Sequence, residues 1–169
     1  MNQSEFTTLV MPFKDKLYRL AKRLLISKDS AEDATQEIYF KLWKNKEKLK
    51  TYNSVEAFAM TMTKNHCLDV LKAKSSSNLK IIHNNYKDAN NDLDKQTNLN
   101  DDVSIIHQLI NDLPEKQKLI IQLRDIEQYS FEEIGKILEI QPIAIRVSLS
   151  RARKTIREKL IKKHKYGLA

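Results

Sequence analysis

The sequence has 169 residues, enough for one ordinary domain or two small lobes, with 41% hydrophobic and 31% charged residues. Its 2 Gly and 3 Pro exclude a Rossmann fingerprint and a P-loop, argue against a turn-rich all-β fold and point to long helices. The net charge of +8 favours an anionic partner such as nucleic acid or a membrane surface, while the single cysteine, Cys67, excludes an internal disulfide and suits a reducing, cytoplasmic compartment.

Met1-Asn2-Gln3-Ser4-Glu5 lacks the basic-then-apolar pattern of a secretory signal, and no apolar run reaches the roughly 18 residues of a membrane span. A first helix is expected within residues 5–26, because Phe6, Leu9, Val10, Phe13, Leu17, Leu20 and Leu24 recur by threes and fours. Pro12 either kinks it or opens a shorter helix. A second helix is expected from Ser30, where Ser30 and Asp33 fit a capping box, to near Lys50, with Ala31, Ala34, Ile38 and Leu42 on one side. A third follows Asn53-Ser54 and carries Val55, Phe58, Met62, Leu68 and Leu71 to about Lys74. Trp43 and Phe58 read as core residues, and Cys67 as a buried small hydrophobe.

Residues 75–104 change character. They are rich in Ser, Asn and Asp, poor in apolar residues, and read as a flexible acidic linker. The linker carries 3 basic and 5 acidic residues, whereas residues 1–74 carry 14 and 9, and residues 105–169 carry 13 and 8. Two basic lobes thus flank an acidic middle, without an internal repeat between them. The sequence predicts an all-α protein of two small helical domains, 1–74 and 105–169, joined by the linker.

Four helices are expected in the second lobe. One covers roughly 103–111, and the next opens near Pro114 with Leu119, Leu123 and Ile126 as core. Ser130 and Glu133 form a capping box for a short helix with Ile134, Ile137 and Leu138. After a break at Glu139-Ile140-Gln141, Pro142 opens a long helix with Ile145, Leu149, Ala152, Ile156 and Leu160 on one stripe. Short helix, tight break and longer helix form a helix-turn-helix, with Gly135 where the two helices approach closely. Glu139 stands where such turns usually hold glycine, so the turn is expected to be strained or slightly rearranged.

From Pro142 to Lys165 there are nine basic residues and one acid, Glu158. A recognition helix presents its N-terminal residues to base edges in the major groove, and arginine pairs bidentately with guanine. Arg146, with Ser148 beside it, is therefore the candidate base reader. Arg151, Arg153, Lys154 and Arg157 are candidate phosphate contacts. An ordinary amphipathic helix with a solvated basic face explains the charge alone, but not the capped helix and tight break before it.

Both lobes resemble the bacterial sigma factors of RNA polymerase, in the compact extracytoplasmic-function class. The resemblance rests on Ser30-Ala31-Glu32-Asp33-Ala34-Thr35-Gln36-Glu37-Ile38-Tyr39-Phe40-Lys41-Leu42-Trp43, on Lys64-Asn65 and Leu68-Asp69-Val70-Leu71-Lys72, on Leu113-Pro114-Glu115-Lys116-Gln117, and on Leu149-Ser150-Arg151-Ala152-Arg153-Lys154. It covers about residues 6–74 and 105–160. It implies that Asp33, Gln36 and Glu37 face the clamp of core RNA polymerase. It implies too that the loop 49–54, with Tyr52 and Asn53, and the helix position Asn65 hold melted bases of the −10 promoter element, with Lys64, Lys72 and Lys74 along the DNA backbone. The second lobe, through Arg146, Ser148, Arg151, Arg153, Lys154 and Arg157, would read the −35 element as duplex. The implied protein is a polymerase specificity subunit and not a catalyst, with promoter DNA and an anti-sigma factor, often membrane-bound, as further partners.

The chain departs from the family where lysines replace common arginines at 64, 72 and 74, which keeps charge but loses bidentate geometry. It departs again where Ala144-Ile145-Arg146-Val147-Ser148 replaces a frequent threonine-valine-lysine-serine-arginine run. No Glu-x-x-His spacing, zinc-ligand cysteine pair or acidic catalytic cluster stands out, so no metal, cofactor or small-molecule substrate is expected. The alternative is a stand-alone helix-turn-helix regulator, which normally works as a dimer on a symmetric site.

Overall fold

The computed structural model describes residues 1–77 and 100–167, and the side chains of 1–77 and 101–165. All regular elements among them are helical. They fall into two compact units, one on either side of the undescribed residues, each with its own core. Most of the expected linker, 78–99, lies outside the described residues. Its expected edges are helical: the flanking helices run through Ser76 and start at Asn100. Ser75 and Ser76 hydroxyls donate back to the carbonyls of Lys72 and Ala73, and Asp101 and Asp102 suit the positive end of a helix. None of the described helices is long and apolar enough to cross a membrane.

In the first unit, α1 (Gln3–Val10) is capped by Asn2, whose side chain accepts from Glu5 N at 2.8 Å. Pro12 ends it. A single 3₁₀ turn, Met11–Phe13, carries the proline in its first positions and hands the chain to α2 (Lys14–Leu25). The expected single helix is thus two, because proline removes an N–H from the ladder. Then come α3 (Lys28–Lys44), α4 (Lys46–Leu49) and α5 (Val55–Ser76). Helix α2 is central and packs on both α3 and α5. Leu17, Leu20, Leu25, Ile38, Leu42, Leu49 and Met60 are essentially fully buried, each side chain contributing roughly 1.5–3 kcal/mol.

Three expectations shift here. The cap of α3 is Ser27, whose hydroxyl accepts from Ser30 N at 3.3 Å, so the helix begins one turn before Ser30. The run toward Lys50 breaks at Asn45, whose amide donates to Lys41 O at 2.9 Å. On α5 the inward face is Ala59, Met60, Thr63 and Cys67, rather than Val55, Phe58, Met62, Leu68 and Leu71, which are half-buried. Small Ala59, Thr63 and Cys67 let α5 approach closely, Met60 is the one long apolar side chain buried with them, and the other bulky ones stay at the rim. Phe58 and Trp43 are accordingly half-buried; Trp43 meets Phe6 edge-on at 5.1 Å and carries Lys46 Nζ over its ring. Cys67 is fully buried as expected, and burial pushes its thiol up to about 12.

The second unit comprises α6 (Asn100–Asn111), α7 (Glu115–Ile121), a π-helical turn (Gln122–Ile126), α8 (Phe131–Leu138) and α9 (Pro142–Gly167). Ile120, Leu123, Ile134, Ile137 and Ile145 form its centre, with α9 packed on α7 and α8. The π turn was not expected. It closes with Glu127 N on Gln122 O at 3.0 Å, and a buried Gln122–Glu127 side-chain bond at 3.1 Å pins it. The turn leaves Ile126 half-buried, and Ile156 and Leu160 are half-buried near the end of the α9 stripe.

Candidate nucleic-acid interface

Helices α8 and α9 take the relation expected of a helix-turn-helix. Ser130 caps α8 in a full capping box: its hydroxyl accepts from Glu133 N at 3.1 Å and Glu133 Oε2 accepts from Ser130 N at 2.8 Å. At the other end Glu139 adopts the left-handed conformation, φ 57°, ψ 44°, at a cost of roughly 1–2 kcal/mol for a residue with a Cβ. The turn is therefore strained and not rearranged. Gly135 O accepts from both Glu139 N and Ile140 N, the latter at 3.2 Å. A Cβ on Gly135 would stand 2.9 Å from Ile140 O, so the glycine is required by the backbone crossing and not by its own φ.

This turn sends α9 outward with Ile145, Leu149 and Ala152 buried and its cations exposed. Arg146, Arg153, Lys154 and Arg157 line one groove of about 610 Å³ together with Phe131, Leu149, Ser150 and Glu158. Arg151 is exposed but lies outside that groove, and Ser148 is half-buried on the flank of the helix. Ser150, which the sequence did not single out, is the serine exposed along the groove. Helical angle was the available signal: 150 follows 146 by four residues, whereas 148 follows it by two and faces elsewhere.

Two contacts organise the arginines. The Arg146 and Arg124 guanidinium carbons lie 4.9 and 4.5 Å from the centre of the Phe131 ring, so both cations rest on the first residue of α8. Arg124 also donates to Tyr129 O at 2.8 Å. Arg153 grips Asp125 with two hydrogen bonds, Nε to Oδ2 at 3.1 Å and the terminal nitrogen to Oδ1 at 2.5 Å, which holds the guanidinium charged above its already high ordinary value. Asp125 is presented by the π turn. Arg153 therefore arrives neutralised by a carboxylate, unlike the free phosphate contact the sequence suggested, and it fastens α9 to the preceding segment.

In the first unit, Asp33, Gln36 and Glu37 are all exposed on α3 at helical spacing, one patch as expected. Phe40 completes that face at the next turn and is 62% exposed. Sequence reasoning left it out, although its position seven residues after Asp33 marks it. Glu37 pairs with Lys41 at 3.3 Å.

Tyr52 and Asn53 are exposed, and the Tyr52 ring stacks on Phe58 at 4.2 Å with 13° between planes. Both loop residues line a cavity of about 720 Å³ whose other wall is the N-terminal segment, including Met1, Glu5, Leu9 and Phe13. The Met1 ammonium bonds Glu47 at 2.7 Å, which ties that segment to α4, just before the loop, and lowers the Glu47 carboxyl from its ordinary value. Asn65 is exposed on α5, two turns (about 10 Å) beyond Phe58, and does not line the cavity. Lys72 is exposed. Lys64 is only 9% exposed and, like half-buried Lys74, already engaged by other groups. The structure thus separates Lys64 from the exposed backbone contacts expected of it, because α5 turns its 60/63/64/67 side inward.

Comparison with known proteins matches residues 9–77 to the family model "Sigma-70 region 2" and residues 104–156 to "Sigma-70, region 4". The chain is 26% identical over 157 residues to ECF RNA polymerase sigma factor SigE of Mycolicibacterium smegmatis, covering 91% of this chain but 61% of that protein. It is 25% identical to SigW of Bacillus subtilis, covering 94% of this chain and 90% of that one, and 25% identical to the sigma-E factor of Escherichia coli, covering 94% and 88%. Among solved structures, the fold is similar to the sigma factor RpoE of Bartonella quintana bound to the anti-sigma factor NepR, with TM-score 0.73 at 19% identity over 92% of this chain and 96% of that one. It is also similar to CnrH bound to the cytosolic domain of CnrY, with TM-score 0.68 at 17% identity over 95% and 90%.

Proposed function

The chain belongs to the sigma-70 family, in its extracytoplasmic-function class, and we propose that it directs core RNA polymerase to promoters by reading the −35 element as duplex and the −10 element as melted strand. The observation that carries the reading of the second unit is the groove along α9, where Arg146, Ser150, Lys154 and Arg157 converge around a helix presented by a strained, glycine-dependent turn. Arg146 is the base reader and Arg151, Lys154 and Arg157 the phosphate contacts. Three phosphate contacts give a salt slope of about −2.7, or roughly 40-fold weaker binding on a four-fold rise in salt. Arg153 holds α9 in place through Asp125 and contributes less charge to the DNA.

In the first unit the Asp33, Gln36, Glu37 and Phe40 face would dock on the polymerase clamp, with carboxylates that suit a basic partner and one aromatic anchor. The Tyr52–Phe58 stack offers a platform for an unstacked base, of the kind worth roughly 1–3 kcal/mol per base. Asn53 and Asn65 supply donors and acceptors for base edges, and Lys72 the backbone contact. Lys64 positions α5. The protein would work in the cytoplasm, catalyse nothing itself, and be held by an anti-sigma factor, as the similarly folded RpoE bound to the anti-sigma factor NepR suggests.

Co-elution with core polymerase from the bacterium that encodes the chain tests the reading. A stoichiometric complex is expected. Asp33→Ala with Glu37→Ala is expected to lose co-elution while keeping −35 duplex binding. A wild-type chain that binds duplex as a dimer and never joins polymerase would instead be a stand-alone regulator.

A further inference from the structure

Helix α9 carries two apolar side chains where a purely cationic DNA face would have none. Ile143 is 73% exposed and Val147 44% exposed. They stand one turn apart, on the side opposite the buried Ile145 and Ala152. Arg146 and Arg151 flank them, and Lys154 follows on the same side one turn beyond Ser150. None of the described residues of the second unit covers them, and a single exposed aliphatic residue would need no explanation. A pair in register, at the outward N-terminal end of the helix that the cations bring against DNA, is a different matter. Val147 also stands in the stretch where this chain departs from the family's usual run, with valine in place of serine, and Ile143 lies just before that stretch.

We propose that Ile143 and Val147 are specificity residues that read thymine through its 5-methyl group in the −35 duplex. Of the four bases only thymine places a methyl in the major groove, and aliphatic side chains recognise it by apolar contact. Arginine at 146 selects guanine by two hydrogen bonds; the aliphatic pair beside it selects thymine by excluding water from a methyl. The preferred element therefore combines a guanine with adjoining thymine on one strand or the other. This inference rests on α9 being the recognition helix, and its test separates the two claims.

The full chain, assembled with core polymerase, is used to select from a randomised duplex library. The best duplex is then remade with each thymine replaced singly by deoxyuridine, which removes the methyl and keeps the base pair. At one or two −35 positions, affinity is expected to fall about three- to four-fold, the effect of one methyl group at about 0.8 kcal/mol. Ile143→Ser and Val147→Ser, both at exposed positions, are expected to erase that penalty while still binding duplex. If sequence is enriched but no thymine methyl matters, or if the penalty persists in both variants, the thymine reading is overturned while the recognition helix stands. If no −35 sequence is enriched and Arg146→Ala changes nothing, the recognition-helix reading fails and takes this inference with it.

Discussion

Gly135→Ala is the sharpest test of how the helix-turn-helix is held together. The added Cβ would lie 2.9 Å from Ile140 O and 3.7 Å from Ile145 Cδ1. The second contact is ordinary, but the first is closer than a carbon and an oxygen tolerate, and the oxygen belongs to the backbone. Relief requires moving the turn 139–141, whose Glu139 and Ile140 N–H groups both bond to Gly135 O. Overpacking of this kind costs about 1–3 kcal/mol. Alanine recovers about 1 kcal/mol of helix propensity. The net expectation is a loss near 1 kcal/mol, or roughly 4–8 °C in the Tm of a domain this size. Calorimetry of the full chain, with hydrogen exchange on α8 and α9 to assign the transition, measures it. Lys136→Ala, next door and exposed, serves as control and should stay within about 0.5 kcal/mol of wild type. Glu139→Gly in the Gly135→Ala background should restore part of the loss by removing the left-handed strain. Duplex affinity should fall in Gly135→Ala, since the angle of α9 changes. A Tm equal to or above wild type would refute the close-crossing argument.

Arg146→Ala should flatten sequence preference, whereas Lys154→Ala should weaken all duplexes alike and make the salt slope shallower by about 0.9; titrations at several salt concentrations separate the two. Tyr39 Oη is buried without a hydrogen-bond partner among the described residues, so Tyr39→Phe should leave the first unit unchanged or more stable by up to about 1 kcal/mol, and a clear loss in denaturant unfolding would contradict this. Burial pushes the Cys67 thiol up to about 12, and burial with the charge of Asp15 pushes the Tyr39 phenol up to about 12. Both groups bind protons more tightly folded than unfolded. Their contribution is thus complete below their ordinary values of 9.0 and 10.0 and is lost as pH climbs toward 12. Unfolding midpoints should fall across that window, and iodoacetamide at pH 8.5 should label Cys67 only after unfolding; fast labelling of the folded chain would show the thiol to be accessible.

The chain's local features were legible without coordinates. Threefold and fourfold apolar spacing located nearly every helix, Ser54 and Ser130 announced their starts, and Glu139 marked a strained turn. The basic stripe of α9 and the acidic patch of α3 followed from the same helical period. These are signals within one or two turns of chain, where backbone hydrogen bonding and capping act. Tertiary packing decided the rest. Helix α5 has apolar residues on more than one side, so only contact with α2 and α3 chose the side of Ala59, Met60, Thr63 and Cys67 to face inward, burying Lys64 and leaving Phe58 to stack on Tyr52. Arg153 reads as one more cation until the π turn brings Asp125, 28 residues away, against it. The N-terminal segment likewise closes a cavity on a loop near residue 50. A local pattern carries no trace of such partners, because they are selected by shape and charge across distant segments once the helices have met.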